Sequence, residues 1–343
     1  MRIASVLLTP QVGGAETLEA ALVARWRAAG HDVTTLYLDP PGEPTGQVPR
    51  VRRLRRALDD LAPDVVHAHT ALPALYARLA ARGTRPVVTV LHSAGENFAI
   101  RSLRLGERAV QRWTDHLVAI NPGQVEEYRR LFGPRTPVTL VPNGVREDLV
   151  PRTVPAEKVR VAAALNRLVP QKRVDVLLAG WTRAALPDAE LRVAGEAPDD
   201  ATWSEVARWA GDAPTATLVG AVTDVAGFLA GADVLVHAAD FEGHPLAPLE
   251  AAVAGLPVVV SDRVAATVPE LAVTAFRAGD ADDLAAVLRA VAADYPRLAR
   301  HAVEAAPALA RRLSLATCAD GHLAVLSDAL HRHRASREAA DPR

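Results

Sequence analysis

Apolar residues recur along this chain in two patterns. Short continuous runs at 3–8, 33–38, 64–69, 86–91, 116–120 and 138–141 read as strands buried on both faces. Stripes spaced three and four residues apart read as helices. Residues 15–29 put Leu18, Leu22 and Trp26 on one face and stop at Gly30. A glycine loop, Thr9-Pro10-Gln11-Val12-Gly13-Gly14, joins the first strand to this helix, and a second strand follows. Strand, loop, helix and strand in that order make a βαβ unit, so a doubly wound parallel sheet is expected. Residues 51–61 place Val51, Leu54, Leu58 and Leu61 on one stripe, flanked by Arg52, Arg53, Arg55 and Arg56. The stripe predicts an outer helix covering the sheet with a solvated basic face; docking on anionic lipid is the alternative use of the arginines. Residues 39–49 and 94–107 show neither period and read as loops.

A second series begins after a linker-like segment at 151–157. Strands are expected at 159–165, 190–194, 217–219, 233–237 and 258–260, with helices near 174–183 and 225–230. Residues 281–330 are helical by pattern, and the tail from His331 carries no apolar stripe and reads as loose. The length of 343 residues suits two α/β domains of ordinary size. The expected division is 1–150 and 151–304, with helices at 305–330 and a tail at 331–343.

The stretch from 240 to 262, DFEGHPLAPLEAAVAGLPVVVSD, carries the most chemistry. Pro245 suits a first helical position, Gly255 can close the helix, and Pro257 leads into a buried strand. A helix that starts at such a loop aims unpaired N–H groups and a positive dipole end outward, which favours an anion. Glu242 lies just before it and Glu250 within its first two turns. A diphosphate flanked by hydroxyl-rich sugars would use both. In open parallel sheets ligands gather beyond the carboxyl ends of strands, where Gly13, Gly14, His69, His92 and Asn143 fall. His67 and His69 invite a metal reading, but partners at ligand spacing are missing; core plus rim is the better reading, and no metal site is expected.

Composition narrows the partners. A net charge of −1 and 4% aromatic residues supply neither the basic footprint nor the stacking surface of a nucleic-acid binder. Cys318 is the single cysteine, which removes a disulfide framework within the chain. The opening MRIASVLLTP reads as a first strand and not as a signal peptide, and no run reaches the length of a membrane span. A cytoplasmic soluble protein is expected. Basic residues are nearly all arginine, with lysine only at 158 and 172.

Two consecutive α/β series, a Leu-Val-Gly-Ala-Val block at 218–222, Ala232-Asp233-Val234-Leu235-Val236 and EGHPLAPLEAAVAGLPVVVSD together resemble the retaining GT-B glycosyltransferases of family 4, over residues 3–325. The resemblance implies two Rossmann-like domains facing across a cleft, with residues 305–330 packing back on the first. It implies a nucleotide sugar, most often of UDP, bound mainly by the second domain, and no cofactor or divalent metal. Glu250 matches the glutamate that accepts the ribose hydroxyls, and Glu242 the one near the transferred sugar. The N–H groups of Gly243, His244, Leu246 and Ala247 become available to the diphosphate or sugar. Arg167 and Lys172 match the basic pair that grips the diphosphate, although Asn166 stands where the family usually has glycine. Gly13-Gly14-Ala15-Glu16 matches the glycine loop beside the acceptor, His92 a histidine that contacts the sugar, and Asn143 a cleft-lining turn that Arg146 follows in place of the usual aspartate. A small molecule such as a secondary metabolite is the expected acceptor. A lipid-linked or polysaccharide acceptor, sugar-nucleotide epimerisation and a non-catalytic nucleotide-sugar binder are the alternatives, and peripheral membrane contact is not favoured.

Overall fold

The computed structural model describes residues 1–10, 13–42, 46–92 and 98–340. The loop readings at 11–12, 43–45 and 93–97 and the end of the tail at 341–343 lie outside the described residues. The elements form two compact units, Met1–Gly144 with Leu315–Arg343, and Val145–Ser314. The exchange points therefore sit at 144/145 and 314/315, against expected ones after 150 and 304. The linker-like segment belongs to the second unit because Arg152 fastens it there: its N–H donates to the Ala254 carbonyl at 3.1 Å and its guanidinium to the Ala230 carbonyl at 2.7 Å.

The first unit runs β1 (Arg2–Leu7), α1 (Gly14–Ala28), β2 (Asp32–Tyr37), α2 (Gln47–Leu61), β3 (Val65–His69), α3 (Ala71–Ala81), β4 (Val87–Leu91), α4 (Arg101–Val110), β5 (His116–Ala119), α5 (Pro122–Phe132) and β6 (Val138–Leu140). The second runs β7 (Val161–Leu165), α6 (Val174–Ala184), β8 (Glu190–Ala194), α7 (Asp200–Gly211), β9 (Ala216–Gly220), α8 (Val225–Ala230), β10 (Val234–His237), α9 (Leu246–Val253), β11 (Val258–Ser261), α10 (Asp262–Ala265), β12 (Val273–Phe276), α11 (Ala281–Ala293) and α12 (Tyr295–Arg312). Helix α13 (Leu315–Ala340) returns to the first unit.

Both sheets are wholly parallel, in the orders β2-β1-β3-β4-β5-β6 and β12-β11-β10-β7-β8-β9. Alternate strand residues serve opposite faces. Ile3, Val65, Val88 and Val118 pack with Leu22 and Trp26 of α1 and Ala319 and Leu326 of α13. Ala4, Val66 and Val87 pack with Leu54 and Leu58 of α2 and Ala77 of α3. Apolar cover on both faces is why the strands read as unbroken hydrophobic runs. The orders also fix two switch points, between β1 and β3 and between β7 and β10. Crossovers leave those pairs in opposite directions, which opens a crevice at their carboxyl ends.

The sequence reading failed where polar anchors replace an apolar stripe. Residues 101–110 form α4 where a loop was expected. Glu107 holds it in place, accepting from Arg78 Nη1 at 2.8 Å and from the Tyr128 hydroxyl at 2.7 Å. The tail is not loose either, because α13 continues to Ala340. His333 Nδ1 lies 3.1 Å from Asp115, Arg334 reaches Asp64 at 3.4 Å, and Arg337 donates to the Thr84 carbonyl at 3.2 Å. Helix α2 likewise begins at Gln47, inside the expected loop.

The side chains of Arg78 and Glu107 are 0% and 5% exposed. Removing one partner strands the other charge in the core. Glu107→Ala is therefore expected to lower stability by about 3–5 kcal/mol. Denaturant unfolding of the Glu107→Ala chain measures this; an unchanged midpoint would mean that the pair does not hold α4.

Candidate functional site

In the second unit the loops after β7 and β10 meet at the switch point. Two hydrogen bonds tie them together: the Asp240 N–H donates to the Gln171 carbonyl at 2.9 Å, and Gln171 Nε2 to the Phe241 carbonyl at 2.8 Å. The first loop brings Lys172, the second brings Glu242, and the two form an ion pair whose side chains are 14% and 12% exposed. His237, the last residue of β10, places Nε2 2.9 Å from the same carboxylate oxygen of Glu242. Its Nδ1 is buried with no partner among the described residues, so Nε2 carries the proton that Glu242 accepts. Burial alone would push the Glu242 carboxyl up. The hydrogen bond from His237 and the Lys172 ammonium outweigh it and hold the group at about 2. Glu242 is thus an ionised carboxylate kept largely away from water.

Arg173, which precedes α6 in a left-handed conformation, donates to Asp240 at 3.2 Å and to Asp175 at 2.9 Å, pinning the acidic loop from its other side. Arg167 is exposed, and its guanidinium has no ion-pair partner among the described residues. Asn166 stands in this loop where the family usually has glycine. Asn166 does not adopt a positive φ, and the close backbone approach falls on Gly195, where a Cβ would lie 1.8 Å from the Asn166 carbonyl oxygen. Glycine is therefore required just after β8.

Pro245 occupies the capping position of α9 and Leu246 its first turn, one residue later than expected. Gly243 and His244 are buried ahead of it, and the His244 ring is paired with Glu270. Leu246 and Ala247 are half-buried. Glu250 lies in the second turn and is 8% exposed. Burial raises its carboxyl to about 7; the Arg146 guanidinium and backbone N–H pull it down only in part, and Asp148 pushes it further up. Arg146 is itself paired with Asp148 at 2.8 Å. Of these groups His237, Arg173, Glu270 and Asp148 were missed by the sequence reading. His237 left one usable signal, a polar residue closing an apolar strand just ahead of Glu242.

In the first unit Gly13 caps α1 with extended backbone, and the first-turn N–H groups have no side-chain cap among the described residues. Gly14 is exposed, and a Cβ there would meet nothing within 4 Å. Glu16 lies half-buried in the first turn. Asn143 is buried at the end of the unit. His92 follows β4 with Nε2 2.9 Å from His69 Nδ1, and burial lowers it to about 4. His69 is no rim residue: it is 1% exposed and His67 is 0% exposed. Among the described residues no cluster of three or more His, Cys, Asp or Glu could hold a metal ion, and no helix is long and apolar enough to cross a membrane.

Folding raises the Glu250 carboxyl from an ordinary 4.5 to about 7. The raised group costs nothing below its unfolded value, and the penalty grows as pH climbs to the folded value. Glu250→Gln is therefore expected to stabilise the unliganded protein at about pH 8, by up to about 3 kcal/mol, and not at about pH 4. Thermal unfolding at both pH values measures it; equal shifts at the two would show that the carboxyl is not desolvated.

Two family models match the chain, Glycosyltransferase Family 4 over residues 12–149 and Glycosyl transferases group 1 over residues 159–294. A glycogen synthase of Mycobacterium tuberculosis is 32% identical over 222 residues, covering 58% of this chain and 52% of that protein. The chain thus spans about half the length of the curated relatives it matches. Among solved structures, Anabaena Alr3699/HepE in complex with UDP-glucose superposes with a TM-score of 0.82 at 18% identity, covering 96% of this chain and all of that one (100%). The sucrose-phosphate synthase of Thermosynechococcus elongatus gives 0.76 at 18% identity, covering 95% of this chain and 98% of that one. With both halves matched in order and two parallel sheets of the same architecture, the chain belongs to the family 4 glycosyltransferases of GT-B fold.

Proposed function

We propose that the chain moves a sugar from a nucleoside diphosphate, UDP being the expected carrier, to an acceptor hydroxyl with retention at the anomeric carbon and without a divalent metal. The observation that carries this reading is the contrast between two buried carboxylates at one switch point. Glu242 is held ionised by Lys172 and His237, while Glu250 is desolvated and only partly compensated. A ribose offers the second carboxylate the two hydroxyl donors that best relieve it, each charge-assisted bond contributing about 1.5–3 kcal/mol. The complex of Alr3699/HepE with UDP-glucose supports a UDP donor.

The remaining roles follow from charge. Lys172 and the exposed Arg167 neutralise the diphosphate as negative charge builds on the β-phosphate in the transition state. The N–H groups of Gly243, His244, Leu246 and Ala247 serve the diphosphate or sugar, and Pro245 offers none. Glu242 orients the transferred sugar. Gly13, Gly14 and His92 contact the donor, with Glu16 and Asn143 on the acceptor side. The bond from the anomeric carbon to the β-phosphate oxygen breaks. The acceptor oxygen bonds to that carbon on the same face, and its proton passes to the leaving phosphate. We place the protein in the cytoplasm and favour a small-molecule acceptor such as a secondary metabolite. Likeness to a glycogen synthase favours a second reading, a polysaccharide acceptor.

Binding of UDP at about pH 7 is expected to release protons from Glu250, because the ribose hydroxyls favour the ionised form. Titration calorimetry in buffers of different ionisation enthalpy reads this directly. Glu250→Ala is expected to abolish the buffer dependence and weaken UDP about 10–100-fold. Unchanged affinity would remove Glu250 from the donor site.

A further inference from the structure

Four histidine rings run end to end through the first unit. His92 Nε2 lies 2.9 Å from His69 Nδ1, His69 Nε2 lies 3.1 Å from His67 Nδ1, and His67 Nε2 lies 3.1 Å from His322 Nδ1. β3 supplies His67 and His69, which share a face because they are two apart. The end of β4 supplies His92, and α13 supplies His322. Trp26 packs edge-on against His67 with ring centroids 5.4 Å apart, and its own N–H goes to the Ala319 carbonyl at 3.2 Å.

Every contact joins an Nε2 to an Nδ1. Neutral rings can share such a contact only if one nitrogen brings the proton and the other the lone pair, so the four tautomers are coupled. Either all protons sit on Nε2 and point toward His322, or all sit on Nδ1 and point toward His92. The buried end decides. His322 Nε2 has no partner among the described residues and His322 is 1% exposed. A proton there would be an orphaned buried donor, which folded proteins tolerate less well than an unpaired acceptor. The rings are neutral near pH 7: burial lowers His67 and His69 well below the ordinary value, His92 to about 4 and His322 to about 3.

The geometry points to a tautomer relay in which His322, His67 and His69 act as positioning residues that set the ring proton of His92 on Nδ1, making His92 a hydrogen-bond donor to a sugar hydroxyl and not a base. The sugar in this statement rests on the proposed function; the direction of the relay does not. Nε2–H is the form a free histidine side chain prefers in water, so the relay imposes the less favoured tautomer on four rings at once.

Long-range ¹⁵N–¹H correlation spectra of ¹⁵N-histidine-labelled protein test this, with signals assigned by single His→Gln replacements. In the wild-type chain all four rings are expected neutral with the proton on Nδ1. A proton on Nε2 of His92, or a charged ring in the series, overturns the relay. His69→Leu is expected to release the His92 tautomer and lower kcat for sugar transfer about tenfold, the worth of one hydrogen bond, with UDP affinity unchanged. His69→Asn, which keeps an N–H at the Nδ1 position, restores both. Equal loss in the two variants, with the His92 spectrum unmoved, overturns the positioning role. A released tautomer with unchanged kcat removes His92 from the sugar contact and so contradicts the proposed function at that residue alone.

Discussion

Much of the second unit is arranged around one ionised carboxylate kept out of water. Glu242 is unaffordable there without compensation, since burying a lone carboxylate costs several kcal/mol. Lys172 and His237 converge on a single one of its oxygens, the first from the loop after β7 and the second from the end of β10. Those two strands are neighbours only because the sheet order reverses between them. The charge compensation therefore depends on the topology, and in turn it clamps two loops that would otherwise be separate. Gln171 and Arg173 repeat the clamp on either side of Lys172 through Phe241 and Asp240.

Glu250 presents the opposite electrostatic state within a few residues of sequence. The loop before it is locked by His244 and Glu270, which leaves α9 little freedom to carry the carboxyl toward water. In the proposed reaction one group is ionised in advance and the other takes up the ribose hydroxyls. Under that proposal such pre-arranged charge needs no reorganisation when the diphosphate leaves, which is where electrostatic catalysis gains its advantage. The first unit solves a different problem with the same economy. Its histidines satisfy one another in series, so that polar rings occupy the centre of a parallel sheet and His322 Nε2 is the one buried ring nitrogen of the series left without a partner among the described residues.

Strands and their alternating partners were legible because both sheet faces are apolar, and a run such as 64–69 admits few other readings. The helix at 246–253, with Glu242 just before it and Glu250 within it, was legible from Gly243, Pro245 and Gly255 to within one residue at its start. Elements held by charge were not. Helix α4 depends on Glu107 meeting Arg78 and Tyr128, contacts between residues 21 and 29 positions apart that no local period encodes. The last turns of α13 depend on Asp64, Asp115 and Thr84 in the same way. At the site, Lys172 and Glu242 could be named singly, but their pairing through His237 needs the strand order.

The most direct test of sugar transfer with retention is the configuration of the first product. Proton NMR can follow early turnovers with UDP-glucose and a simple hydroxyl acceptor, or with water alone. The account predicts that the anomeric proton of the product first appears with the coupling of the donor's own configuration. An inverted anomer would contradict the same-face path. Failure to consume any nucleoside diphosphate sugar would contradict transfer itself.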